Sequence, residues 1–180
     1  MSKINDMVEA GDLYYTQSLA AKSTEQCTAA AVLAAGRYWC AFVLGHPQAA
    51  FPLALCFTEG RGVKKDVHIG KLFFGVAKLL GDDRCAYDAI TVPENMYGEV
   101  KSLFDAFKKA HETFSPQMES NAEIEISTIN SQFRHFSNYF YVDQGSIMDH
   151  FINHGETNPT QDVALAGADD NSDCCGCTIL

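Results

Sequence analysis

Residues 60–81 read GRGVKKDVHIGKLFFGVAKLLG, and the spacing of their apolar side chains decides the class of fold. Ile69, Leu72, Phe73, Val76, Ala77 and Leu80 recur at steps of three and four, which places them on one face of a helix. Asp66 stands where a carboxylate can cap the first turn, and Gly81 where a left-handed residue ends the last. Upstream, Gly60 and Gly62 supply a tight reversal. Before them, HPQAAFPLALCFTEG (46–60) opens with Pro47 at a first helical position. Two helices joined so closely pack antiparallel. Pro52 lacks an amide donor and is expected to bend or delay the first of them.

The same pattern recurs at an offset of 36 residues. Gly45 falls on Gly81, Ala41 on Ala77, Leu44 on Leu80 and Ala50 on Ala86; Tyr38 falls on Phe74 and Phe51 on Tyr87. Carried back once more, Leu55 falls on Leu19. An interval of that size is the length of one helix pair, the unit from which helical repeats are stacked.

These residues resemble the Sel-one-like repeat family, a branch of the helical-hairpin repeats related to tetratricopeptide repeats. Gly60, Gly62, Val63, Asp66, Phe73, Phe74, Ala77 and Gly81 stand at the family's spacing. Gly70 and Lys78 replace its alanines, and Ala54 its first-helix glycine. The full pattern covers residues 47–82. The unit at 11–46 keeps its second helix, AAGRYWCAFVLGH, but has KSTEQ where the glycine loop belongs, and a third from about residue 83 is broken by Pro93. The resemblance therefore spans about 80 residues, less than half the chain. It implies an all-α, short α-solenoid whose surface holds a protein partner, with no catalytic residue, cofactor or metal. Some secreted relatives associated with β-lactam binding or hydrolysis staple each pair with cysteines; the partner Cys85 would need near Ala77 or Lys78 is missing.

So few repeats need capping elements. VKSLFDAFKKAHETF (100–114) is amphipathic, and Ser115–Pro116 reads as the start of a further helix through 142. Ile126, Ile129, Phe133, Phe136 and Phe140 form a stripe along it, read as a core seam facing the repeats, with a partner-binding groove as the alternative. Residues 146–154 read as a short closing helix. The helical domain is thus 1–154, with capping helices at 100–154. Residues 155–173 are small, polar and acidic, the composition of a flexible linker, and 174–180 form a separate tail.

Charge narrows the partners. The net charge is −10, and all 13 Lys and Arg lie at or before Arg134. No basic stripe for nucleic acid and no polybasic segment for anionic lipid is present. Lys3, Asp6, Glu9 and Asp12 interrupt any signal-peptide core, no glycine is placed for myristoylation, and no apolar run approaches the roughly 20 residues of a membrane-spanning helix. The seven cysteines, an odd number, suit a reducing compartment. Cys27, Cys40, Cys56 and Cys85 lie in apolar segments and read as small core residues, as do Tyr38 and Trp39.

The tail reads DCCGCTIL. Cys177-Thr178-Ile179-Leu180 has the form of a prenylation signal, and a final leucine selects geranylgeranyl. A single lipid chain gives marginal attachment, so a second signal is needed. Glu156, Asp162, Asp169, Asp170 and Asp173 would repel an anionic surface, which leaves Cys174 and Cys175 as palmitoylation sites.

Other chemistries find little footing. Prenylated chains of this length are often small GTPases, but no Gly-x-x-x-x-Gly-Lys-Ser/Thr loop occurs and GRGVKK has the wrong spacing. His150 and His154 stand four apart, yet Phe151 replaces the glutamate of the zinc-protease motif. Cys174, Cys175 and Cys177 could meet a metal only by ordering a linker. The reading is a lipid-anchored, non-enzymatic adaptor at the cytoplasmic face of a eukaryotic membrane, served by a prenyltransferase. The family's abundance in bacteria tilts its origin slightly towards an effector modified in a host. The alternatives are a soluble interaction module with an incidental cysteine-rich tail, and an enzyme with its site between the repeats and the helix at 116–141.

Overall fold

A computed structural model of the chain describes residues 3–86, 90–119, 124–141 and 143–154. Among them the fold is all-α: α1 (Lys3–Ala20), α2 (Thr24–Val43), α3 (Ala50–Glu59), α4 (Val67–Leu79), α5 (Tyr97–Glu119), α6 (Ile126–Phe133) and α7 (Gln144–Met148). No strand is present among the described residues; one isolated β-bridge joins Val63 to Phe140.

Helices α1 and α2 form one antiparallel hairpin, α3 and α4 a second, and α5 lies against α4. Local chemistry sets the ends. Ser23, in KSTEQ, accepts the Gln26 amide at 3.2 Å and caps α2. Asp66 accepts the Ile69 amide at 3.0 Å and caps α4. A 3-10 turn at Pro47–Ala49 precedes α3, so the helix proper starts only at Ala50, and Pro52 falls in its first turn, where an amide would have no helical acceptor.

The 36-residue interval returns in the backbone. The Gly45 amide donates to the Phe42 carbonyl and the His46 amide to Ala41; 36 residues on, Gly81 donates to Lys78 and Asp82 to Ala77. Both glycines have positive φ, +86° and +79°. Each is followed by a 3-10 turn, Pro47–Ala49 and Asp83–Ala86. Two helices of different sequence thus end by the same left-handed device and leave in the same way.

The core gathers on Trp39. Its ring lies 5.8 Å from Phe133, 5.6 Å from Phe136 and 5.1 Å from Phe140, with Phe73 at 6.4 Å. Phe73 in turn stacks on Phe57 at 5.3 Å. Ile129, Phe133, Phe136 and Phe140 are buried and Ile126 packs beside them, so the C-terminal stripe is a core seam.

The path of that segment differs from the expected single helix. α5 continues through Pro116 to Glu119 instead of stopping before it. Pro116 is exposed, and only the last turn follows it. α6 starts at Ile126, where Glu125 accepts from the Ser127 and Thr128 hydroxyls, and gives way to a 3-10 turn over Arg134–Tyr139. The shorter turn keeps Phe133, Phe136 and Phe140 on the seam.

The glycine loop is pinned from both sides. The Lys64 amide donates to the Tyr139 carbonyl at 2.8 Å, and Val63 is fully buried. Gly62 (φ +72°) passes so close to the Ala31 carbonyl of α2 that a Cβ would collide with it. Residues 144–154 close the other side: the Arg37 guanidinium lies 3.7 Å from the Phe151 ring centre, and Asn153 bonds both the amide and the carbonyl of Ile124.

Cys40 and Cys56 are fully buried free thiols, pushed up to about 12 by burial, which leaves them inert. Cys27 is also buried, but it is disulfide-bonded. That departs from the reading of it as a core thiol.

Candidate functional site

The largest concavity among those described is a groove of about 850 Å3 between α4, α5 and the residues Cys85 and Ile90, Thr91 and Val92. The described residues between α4 and α5 hold two single turns, Asp83–Ala86 and Glu94–Met96. Pro93 stands just before the second turn and, with no amide donor, opposes a continuous helix.

Gly75 sets the depth. A Cβ there would sit 2.7 Å from a Val100 methyl, so α4 and α5 touch at the floor. Phe74, Ile90, Val92, Val100 and Phe104 give the floor and walls their apolar character. Leu79 and Tyr97, 55% and 60% exposed, also line it; both are large apolar side chains left in contact with water.

The rim is cationic. Lys78, Lys101 and Lys108 line it against one carboxylate, Asp105. Lys101 reaches Asp105 at 3.0 Å and Lys108 reaches it at 3.1 Å, and hydrogen bonds from Lys101 and then Lys108 hold that carboxyl below its usual range. The Lys108 ammonium also lies 4.9 Å from the centre of the Phe104 ring. In an acidic chain this is an apolar slot with a net positive edge, suited to an apolar group flanked by acidic residues.

Two other concavities have different characters. One, of about 660 Å3, lies at the turn that joins α1 to α2, where Lys22 is matched by Glu25. The second, about 460 Å3, is polar and lined by Asp12, Asp82, Asp83 and Arg84. Arg84 reaches Asp82 at 2.7 Å and the Gln48 carbonyl at 2.9 Å. Burial pushes the Asp82 carboxyl up, but its bonds to Arg84 outweigh that and leave it low.

Comparison with family models, curated proteins and solved structures returned no match.

Further polar groups tie helices together. Tyr38 donates to Asp12 at 2.7 Å, and Tyr15 donates to Glu59, which also accepts from Arg61. Burial first, then these carboxylates, pushes both phenols far up, so they serve as fixed donors between α1 and its neighbours.

Of the residues singled out in the sequence, Cys174, Cys175 and Cys177 lie outside the described residues. His150 stacks near Phe151, with ring centres 5.1 Å apart, while the side chain of His154 is outside the description. No group of three or more metal-ligating side chains occurs among the described residues. One alternative put an enzyme site between the repeats and the helix at 116–141; there Phe133, Phe136 and Phe140 pack their rings on Trp39. The groove itself was missed by sequence reasoning. Its one legible signal was Pro93, which marks where the repeat pattern fails.

Proposed function

We propose that the chain is a membrane-anchored adaptor, with a helical-repeat body that holds a protein partner and a C-terminus geranylgeranylated on Cys177. One observation carries this reading: a cysteine-rich tail, Cys174-Cys175-Gly176-Cys177-Thr178-Ile179-Leu180, follows an acidic, cation-free stretch at 155–173. No described helix is long and apolar enough to cross a membrane. A lipid would therefore have to supply whatever membrane residence the described body has. In a reducing compartment, where the Cys27 disulfide opens, palmitoylation of Cys174 and Cys175 would provide the second signal that the missing basic patch cannot. The helical body supports the binding half of the reading, since paired helices present broad surfaces without needing catalytic groups. An effector that borrows a host transferase fits the same residues.

Intact-mass spectrometry of protein expressed in eukaryotic cells tests it directly. A geranylgeranyl adduct that disappears in Cys177→Ser, with a shift of that variant from the membrane to the soluble fraction, is the expected result. An unmodified chain would leave the soluble interaction module as the better reading.

A further inference from the structure

We propose that the α4–α5 groove binds the chain's own C-terminal segment, with the lipid of Cys177 along its apolar floor and Asp169, Asp170 and Asp173 against Lys78, Lys101 and Lys108. This rests on the lipidation reading above and adds to it a second, soluble resting place for the anchor.

Three features select this occupant. The first is shape and polarity: at about 850 Å3 the slot falls in the range, roughly 300–1,000 Å3, of cavities that enclose small apolar ligands. Leu79 and Tyr97 stand exposed beside it and would be covered by a hydrocarbon chain.

The second is charge. Residues 155–173 hold five carboxylates and no cation, and three of those carboxylates lie four to eight positions before Cys177. Among the three concavities, only this one offers lysines in excess of carboxylates. The polar concavity, with Asp12, Asp82 and Asp83 around Arg84, would repel the same segment.

The third is reach. Asn153 is bonded to Ile124, five positions after the last residue of α5. From that end back to Lys101 is 18 helical residues, about 27 Å at 1.5 Å each. The 23 residues from 155 to 177 can extend to about 75 Å, so the path is well within their length.

The consequence is a competition. A groove that shields the lipid keeps the chain dispersed in water, and the anchor becomes available when it leaves for a bilayer. Weakening the groove should therefore raise membrane binding.

The test uses the full chain, built so that the lipid does not depend on a cell. Residues 1–173 are ligated at Cys174 to a synthetic peptide 174–180 carrying geranylgeranyl on Cys177. A benzophenone amino acid replaces Leu79, or Tyr97 in a second variant, and Leu13 on α1 as the control; all samples are kept in dithiothreitol so that the Cys27 disulfide is open. The expected result is a photo-crosslink from position 79 or 97 to the tail of the same molecule. Its yield should be at least fivefold above that from position 13 and should fall severalfold in Lys78→Glu/Lys108→Glu. The same double variant should partition at least threefold more onto phosphatidylcholine vesicles. The proposal is overturned by equal labelling from positions 13, 79 and 97, by crosslinks only between molecules (a second copy in the groove), or by unchanged vesicle partitioning in the charge variant. Failure of cells to lipidate Cys177 sinks the adaptor reading separately, because the ligated chain still reports on the groove.

Discussion

Gly62 and Gly81 share a positive φ, +72° and +79°, but differ in surroundings. A Cβ on Gly62 would run into the Ala31 backbone, whereas one on Gly81 meets nothing within 4 Å. Gly81→Ala should therefore cost about 1 kcal/mol of conformational strain. Gly62→Ala should cost about 3 kcal/mol or more, because α2 or the loop must move. Urea denaturation of the pair separates the two effects. A histidine adds a pH signature. His46 accepts the Gln48 amide on Nδ1 at 3.3 Å and contacts Asn5 through Nε2 at 2.9 Å. Burial, then the neighbouring His111, holds its imidazole below the usual range, and burial does the same to His135. The unfolded chain takes up these protons first as pH falls. Stability is then complete above the unfolded value of about 6.5 and declines below it. His46 is partly solvated, so its share should be under about 1 kcal/mol, or roughly 1–3 °C in Tm between pH 7.5 and 5.5. His46→Asn, which keeps an acceptor for Gln48, should flatten that slope in thermal melts.

At the scale of elements, the seam that joins the C-terminal segment to the two helical hairpins rests on aromatic packing. Phe136 is 1% exposed and touches both Trp39 and Phe73, so Phe136→Ala should cost about 3–5 kcal/mol in chemical denaturation. Pro116 is exposed inside α5 and deprives Glu112 of a helical donor. Pro116→Ala should raise stability by about 1 kcal/mol, less than the mid-helix value because only one turn follows. The same elements show what was legible in the sequence. α4 could be read from Asp66 to Gly81 because its cap, its apolar face and its stop are all local. The 36-residue interval was legible because equivalent residues meet equivalent backbone. Ser115–Pro116 misled because a proline that suits a first turn is also tolerated near a last one. The groove was illegible for another reason: periodicity reports single helices, not which of them meet, and the contact of Gly75 with Val100 joins residues 25 apart.

At the scale of the whole molecule, charge is unevenly distributed: every cation precedes residue 135 and the tail is purely acidic. A lipidated chain should therefore bind neutral vesicles more tightly than anionic ones at low salt. Raising ionic strength to about 0.5 M should largely close that gap in sedimentation assays, since it shortens the screening length to a few ångströms. The bridge between Val63 and Phe140, with the Lys64 amide on the Tyr139 carbonyl, has a bearing on biosynthesis. Both hairpins are complete by Leu79, yet the rings that cover Trp39 and Phe73 arrive only with residues 133–140. Until those residues have left the ribosome, the nascent hairpins expose an aromatic surface open to chaperones or to aggregation. Translation arrested before Phe133 should thus release a sticky fragment rather than a smaller working repeat.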